Sequence, residues 1–262
     1  MSSTLTSPHA PGITRIDGVP VAAVTLREAT ARILEMSATG TTDILVGVNA
    51  HVVNLARHDE RLRTFLNTTT FNYADGQSVV WAARSLGTVL PERVATTDLA
   101  PAVIDGAARE GAPVFFLGGA PGIAAAAANR MRERTPEVVL DAAHGFFDAR
   151  ETDRVLGEIH DHGTRILFVG LGDPLQERWI ERHRASLPPV VLTCGGLFDW
   201  LSGAHRRAPK VMQQGGLEWL WRLAIEPRRL AHRYLVGNPA FVAAVMRQRA
   251  AGRVSGAKRR FA

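Results

Sequence analysis

Cysteine is almost missing from this sequence. Cys194 is the only one in 262 residues, so no disulfide can form within the chain. With no secretory signal at the N-terminus, the lone thiol leads us to expect a protein of the reducing cytosol. Also absent is any apolar run of about 18 residues, which argues against an ordinary membrane-spanning helix. No Asp-x-Asp pair occurs, so the common carboxylate clamp for a metal-bound diphosphate is missing. His160 and His162 flank Asp161 without a thiolate cluster and read as a helix end rather than a zinc site. Nothing else in the pattern requires a metal. Internal repeats, low-complexity linkers and long Pro/Gly/Ser stretches are lacking as well, so nothing divides the chain into two equal domains.

What is present is a 46% hydrophobic composition, enough to bury a substantial core as one large domain or one domain plus an appendage. The first twelve residues, small, polar and proline-containing, read as a loose tail. The net charge of +6 is uneven: from Ala204 onward 13 Lys and Arg face only Glu218 and Glu226, a net +11, while the remainder has 18 basic and 23 acidic residues, a net −5. We therefore expect a body over 1–203 and a basic amphipathic appendage over 204–262 that seeks phosphates. A solvated helix face is the plainer reading of the same charges.

Strand-like runs at 44–48, 112–119, 165–172 and 190–196 alternate with segments of helical period, such as AHVVNLARHDERLRTFLN and PGIAAAAANRMRER. This alternation predicts an α/β fold, Rossmann-like, with a largely parallel sheet covered on both faces and its ligand at the carboxyl ends of the strands. Past Gly203, GGLEWLWRLAIEPRRLAHRYL interleaves aromatic and leucine residues with arginine. Pro227 is expected to divide that helix. Such a stripe suits either a lipid headgroup region or packing on the body.

Three strand ends carry polar or glycine-rich loops. Gly118, Gly119 and Gly122 precede an alanine-rich helix whose N-terminus can face a phosphate, although the GGxxG spacing departs from the dinucleotide fingerprint and a tight turn explains it equally. Gln176 and Glu177 fall in the first turn of a helix after Gly170 and Gly172, where they can read a base or sugar hydroxyl or simply complement the helix. Asp199 follows Gly196 by three residues and is a candidate for a ribose hydroxyl or an N-terminal helix acid. Cys194, on an apolar strand, reads as a small buried hydrophobe.

Asp75, in FNYADGQ, is the carboxylate with the most to explain. The strand ending at Asn49 and the turn at Asp75 can converge on one sheet edge, where a carboxylate can accept a proton and an amide can orient an acceptor. An isolated Asp-Gly pair is more commonly a turn closed by its own side chain.

Taken in order, VNAHVVNLA, NYADGQSVVW, ERVATTDL, FFLGGAPGIAAAAA, FVGLGDPLQERWI, GGLFDWLSGAHRRAP and LEWLWRLAIEPRRLAHRY resemble the WecG/TagA/CpsF family of bacterial glycosyltransferases, glycosyltransferase family 26, from about Ile16 to Phe241. The resemblance implies an inverting, metal-independent transfer of a sugar, N-acetylmannosamine or a related hexose, from a UDP-sugar to a polyprenyl-diphosphate-linked saccharide. That transfer serves cell-surface polysaccharide assembly at the inner face of the cytoplasmic membrane, with no cofactor and no nucleic-acid partner. It makes Asp75 the counterpart of the family's proposed base and Asn49 that of its neighbouring asparagine. Gly118, Gly119, Gly122, Gln176, Glu177 and Asp199 match positions around the nucleotide, and Arg207, Arg222, Arg229 and Arg233 are candidate diphosphate contacts in the membrane-touching appendage. Two departures stand out. Many members have threonine where this chain has Gly47, so a hydroxyl thought to assist the reaction is expected to be absent, and glycine is usual where this chain has Thr96. The competing expectations are a nicotinamide-dependent oxidoreductase built on the GGAPG loop and a non-catalytic UDP-binding protein at the membrane.

Overall fold

The structure, a computed structural model, describes residues 11–260, with side chains described for all of these except 214 and 253–260. The expected tail lies outside the described residues up to position 10. A small antiparallel hairpin comes first, β1 (Ile13–Ile16) and β2 (Val19–Ala22), turning at Asp17 and Gly18 with φ of 50° and 84°. Two successive positive φ angles are what a two-residue primed turn needs. Arg57 holds Asp17 at 2.8 Å from outside the hairpin.

The sheet that organises the molecule has six strands, all parallel: β3 (Asp43–Val48), β4 (Phe71–Ala74), β5 (Val114–Gly118), β6 (Leu140–Ala143), β7 (Ile166–Gly170) and β8 (Val190–Thr193), in the order β4-β3-β8-β7-β5-β6. Alternate side chains serve two cores. Val46, Val48, Leu167, Val169 and Val191 face one, while Leu45, Tyr73, Phe116, Phe168 and Leu192 face the other. A strand buried on both faces must be apolar throughout, and this explains the continuous runs at 44–48 and 165–172. The expected Rossmann-like α/β class is what the chain adopts.

Helices connect the strands and cover both faces. The periodic stretch after Asn49 is two helices, Ala50–His58 and Glu60–Thr68, because Asp59 leaves helical geometry and its side chain caps the second by accepting from the Leu62 N–H at 3.0 Å. The further helices are Thr96–Glu110, Ile123–Arg134, Thr152–Asp161 and Leu175–His183. His162 is the C-cap of the third of these, and His160 is an exposed residue in its last turn.

Pro227 divides the appendage as its chemistry requires: Glu218–Ile225 stops before it and Pro227–Ala231 begins on it. The helix then widens to a π turn over His232–Val236 and runs on as Gly237–Arg260. Of the two sequence readings of this stripe, one part is core. Leu230, Tyr234, Phe241, Ala244 and Val245 are buried, and Phe241 and Val245 join the core beneath the helix Ala50–His58. The Asn54 amide donates to the Gly237 carbonyl at 2.7 Å, and Gln248 bonds both the Asp17 N–H and the Arg15 carbonyl. Leu217, Leu220, Ile225, Leu235, Val236, Val242 and Met246 stay exposed.

Candidate active site

Strand register builds the site. Val48 pairs with Ala74, so the next residues, Asn49 and Asp75, leave adjacent strands side by side at their carboxyl ends. Gly76 permits this approach. A Cβ there would lie 3.0 Å from Asn49 Cβ and 3.2 Å from its Cα, close enough to push Asn49 by a few tenths of an ångström. The glycine of the Asp-Gly pair is thus favoured by proximity to Asn49 and not by its φ of −95°, which is ordinary.

The Asp75 carboxylate does not close its own turn. Its Oδ1 accepts from the Thr96 N–H at 2.8 Å and from the Thr96 hydroxyl at 2.9 Å, while Oδ2 has no partner among the described residues. Asn49 caps the helix Ala50–His58, its Oδ1 accepting from the N–H groups of His51 and Val52, and Arg233 approaches the same oxygen at 3.4 Å.

Asp75 stands where two cavities meet. The larger, about 290 Å³, has a wall of Trp81, Trp200, Trp219, Tyr234 and Phe241, with His51 and Arg93 among its polar groups. The smaller, about 90 Å³, is polar, lined by Thr96, Asp173, Gln176, Thr193 and the backbone around Gly195 and Gly196. Asn49, Asp75, Thr97, Trp200, Arg222 and Arg233 line both. Neither Arg222 nor Arg233 has a carboxylate partner among the described residues; Arg222 lies over the Trp200 ring at 5.1 Å, and the Arg233 Nε is buried with no acceptor. A guanidinium left without a counter-charge in a cleft is a site for an anion.

The other sequence candidates are placed as follows. Arg229 lines the polar cavity but also pairs with Glu226 and is exposed. Arg207 lines neither cavity; it grips Asp98 through both terminal nitrogens, at 2.5 and 2.7 Å, and approaches Glu218 at 3.6 Å, tying the appendage to the helix Thr96–Glu110. Gln176 lines the polar cavity, accepting from the Gly195 N–H and donating to Asp173 and Glu177. Asp199 lines neither cavity; its Oδ2 lies 3.3 Å from where a Cβ on Gly196, a residue of the polar cavity, would lie.

Gly118, Gly119 and Gly122 line neither cavity. They lie where the chain leaves β5 toward β6 and β7 toward β8, the divergence point of the sheet, and a Cβ on Gly118 would collide with the Gly170 carbonyl oxygen at 2.3 Å. The glycines facing Asp75 are instead Gly47, Gly195 and Gly196. Cys194 lines the polar cavity, with its thiol held protonated by burial and the nearby Asp173. Sequence reasoning missed the aromatic wall, whose tryptophans come from three distant segments, and also Thr97, Thr193 and Asp173. For Asp173 and Thr193 the only sequence signal is position just after or at a strand end, and Thr97 lies in the first turn of the helix Thr96–Glu110.

Electrostatics sharpen two residues. Burial first, then Arg233, lowers the His51 pKa and keeps its imidazole neutral. Burial first, then Asp173, pushes the Glu177 carboxyl up to about 8 from an ordinary 4.5, and its Oε2 has no partner. Below the ordinary value both folded and unfolded forms are protonated. As pH rises from 4.5 towards 8 the unfolded chain ionises first and stability declines. Glu177→Gln keeps an acceptor for Gln176 and removes that decline. Relative to wild type, the variant should gain at least about 3 °C in Tm between pH 5 and pH 8, read by calorimetry; parallel Tm profiles would refute the assignment.

A parallel α/β sheet with a polar and an aromatic cavity meeting at one carboxylate, and arginines without a carboxylate partner between them, forms an enzyme-like cleft suited to an anionic ligand. The chain matches the model of the glycosyl transferase WecG/TagA/CpsF family over residues 14–255 and belongs to that family. It is therefore a glycosyltransferase of cell-surface polysaccharide synthesis. The nicotinamide reading is set aside, since the family is one of transferases and the GGAPG glycines line neither cavity. Among the described residues, no helix is long and apolar enough to cross a membrane.

Proposed function

We propose that the protein moves a hexose of the N-acetylmannosamine type from a UDP-sugar to a polyprenyl-diphosphate-linked saccharide, with inversion and without a metal. The observation that carries this is the unengaged Asp75 oxygen at the seam of the two cavities. The polar cavity takes the donor and the aromatic one the acceptor sugar, whose apolar ring faces suit indole walls. Asp75 removes the proton of the attacking hydroxyl, and the new bond forms at the anomeric carbon on the face opposite UDP. The C–O bond to the diphosphate breaks, and its electrons and charge pass to a group held by Arg222 and Arg233. Asn49, held as a helix cap, offers its amide N–H to either substrate.

Purified protein assayed with a panel of UDP-sugars and a short-chain prenyl-diphosphate glycolipid should yield a glycosylated lipid with one donor. UDP release with no such product from any donor would overturn the reading.

The appendage supports docking at the inner face of the cytoplasmic membrane. Leu235 and Val236, 63% and 54% exposed on the π turn, follow a run of arginines at 228, 229 and 233, the pairing of apolar and basic groups that seats a helix in anionic headgroups. Leu235→Ser with Val236→Ser should lower binding to anionic phospholipid vesicles by about tenfold or more, from the apolar area lost, with the Tm unchanged. Unaltered co-sedimentation would place the membrane contact elsewhere.

A further inference from the structure

Tyr73 and Thr96 are buried polar residues that the proposed chemistry does not yet use. The Tyr73 hydroxyl lies 2.9 Å from the Thr96 hydroxyl, which in turn lies 2.9 Å from Asp75 Oδ1. An ionised carboxylate can only accept, so Thr96 must donate to Asp75 and has no proton left for Tyr73. The direction is therefore fixed: Tyr73 O–H donates to Thr96 Oγ1, and Thr96 O–H donates to Asp75. Tyr73 is fully buried, and burial together with Asp75 raises its pKa, so the phenol keeps the proton this chain requires. Thr96 also donates its backbone N–H to the same oxygen. Oδ1 is thus occupied twice and Oδ2 is left to the cleft.

Position 47 completes the arrangement. Gly47 pairs with Tyr73 across the sheet, and a Cβ on it would lie 3.0 Å from Thr96 Oγ1, 3.1 Å from the Tyr73 hydroxyl and 3.2 Å from Asp75 Cβ. Side chains from 47 and 96 compete for one space. The φ of Gly47 is not of the left-handed kind, so glycine there answers to crowding alone.

We propose that Thr96 is a positioning residue for Asp75, its hydroxyl oriented by Tyr73 and filling a single slot that glycine at 47 holds open. This rests on Asp75 being the base. Although position 47 carries no side chain, Thr96 brings a hydroxyl to Asp75 from the neighbouring element.

The test uses full-length protein and the glycolipid assay. Thr96→Val keeps the shape and removes the hydroxyl, so it should lower kcat by about tenfold to 100-fold, the usual scale for a misplaced catalytic group, with KM and UDP affinity near wild type at a permissive temperature and the Tm lowered because the buried Tyr73 hydroxyl loses its acceptor. Thr96→Ser should restore kcat to within about threefold. In an Asp75→Asn background, Thr96→Val should cost nothing further. Thr96→Gly should be defective, and adding Gly47→Ser should recover at least about fivefold by refilling the slot from the other side. A fully active Thr96→Val beside an inactive Asp75→Asn would overturn the positioning role alone. A serine variant as poor as the valine, an undiminished valine effect in the Asp75→Asn background, or no recovery in the Gly47→Ser pair would also overturn it. An active Asp75→Asn would instead remove the base assignment beneath it.

Discussion

Asp75→Asn is expected to lower turnover by at least about 100-fold while UDP binding persists. Asparagine has nearly the shape of aspartate and still presents an oxygen to the Thr96 N–H and hydroxyl, so the turn between β4 and the helix Gln77–Ser85 should hold. What disappears is the capacity to take a proton. The rival base is His51, which lines the aromatic cavity. Its neutral imidazole has a free electron pair, but burial and Arg233 both oppose the imidazolium that proton capture would create. A carboxylate loses a charge on taking up a proton, so burial does not oppose that step as it opposes forming an imidazolium. The measurement is single-turnover transfer at saturating donor for Asp75→Asn and His51→Gln, with UDP titrated by calorimetry. Near-normal turnover in the first and a collapse in the second would move the proton to His51.

The sequence made some of this visible and hid the rest for identifiable reasons. β3, β5, β7 and β8 stand out because strands buried on both faces are apolar along their length. β4 and β6 are four residues each and carry Asn72 and Asp141, so periodicity passes over them. Asn72 is tolerated in the interior because its amide donates to the carbonyls of Pro20 and Leu66 and its oxygen accepts from Thr69, a set of partners brought in by the hairpin and a neighbouring helix. Asp75 and Asn49 could be singled out as strand-end residues, but only the register makes them neighbours. Gly47 and Thr96 could be seen separately as departures from a pattern. That they share one space is a property of the fold, 49 positions apart in sequence. The same holds for charge: composition gave a basic appendage without distinguishing an arginine already matched to Asp98 from one with no counter-charge.

That distinction carries the second large effect. Arg222→Ala and Arg233→Ala should each lower kcat by about 100-fold or more, the scale for removing one donor from a developing anion in a sheltered site. As UDP departs, charge builds on its diphosphate, and the groups able to meet it are those not already neutralised. Arg222 stacks on Trp200, and Arg233 sits on the π turn beside Asn49, so both are held in place without being electrostatically spent. Arg229 shares its charge with Glu226 in an exposed pair, and its removal should cost less than about tenfold, as exposed pairs contribute little. Arg207→Ala should act differently, lowering the Tm through loss of the Asp98 and Glu218 contacts with a smaller change in kcat at permissive temperature. Lysine should rescue Arg222 poorly, because an ammonium neither stacks on indole as a plane nor donates two parallel bonds to a phosphate. Since Arg222 and Arg233 would act on one leaving group, the double variant should lose less than the product of the single losses. The arginines are assayed by single-turnover rates at saturating donor alongside UDP affinity. If Arg222→Ala and Arg233→Ala both turn over within about threefold of wild type, the departing charge is met by some other part of the cleft.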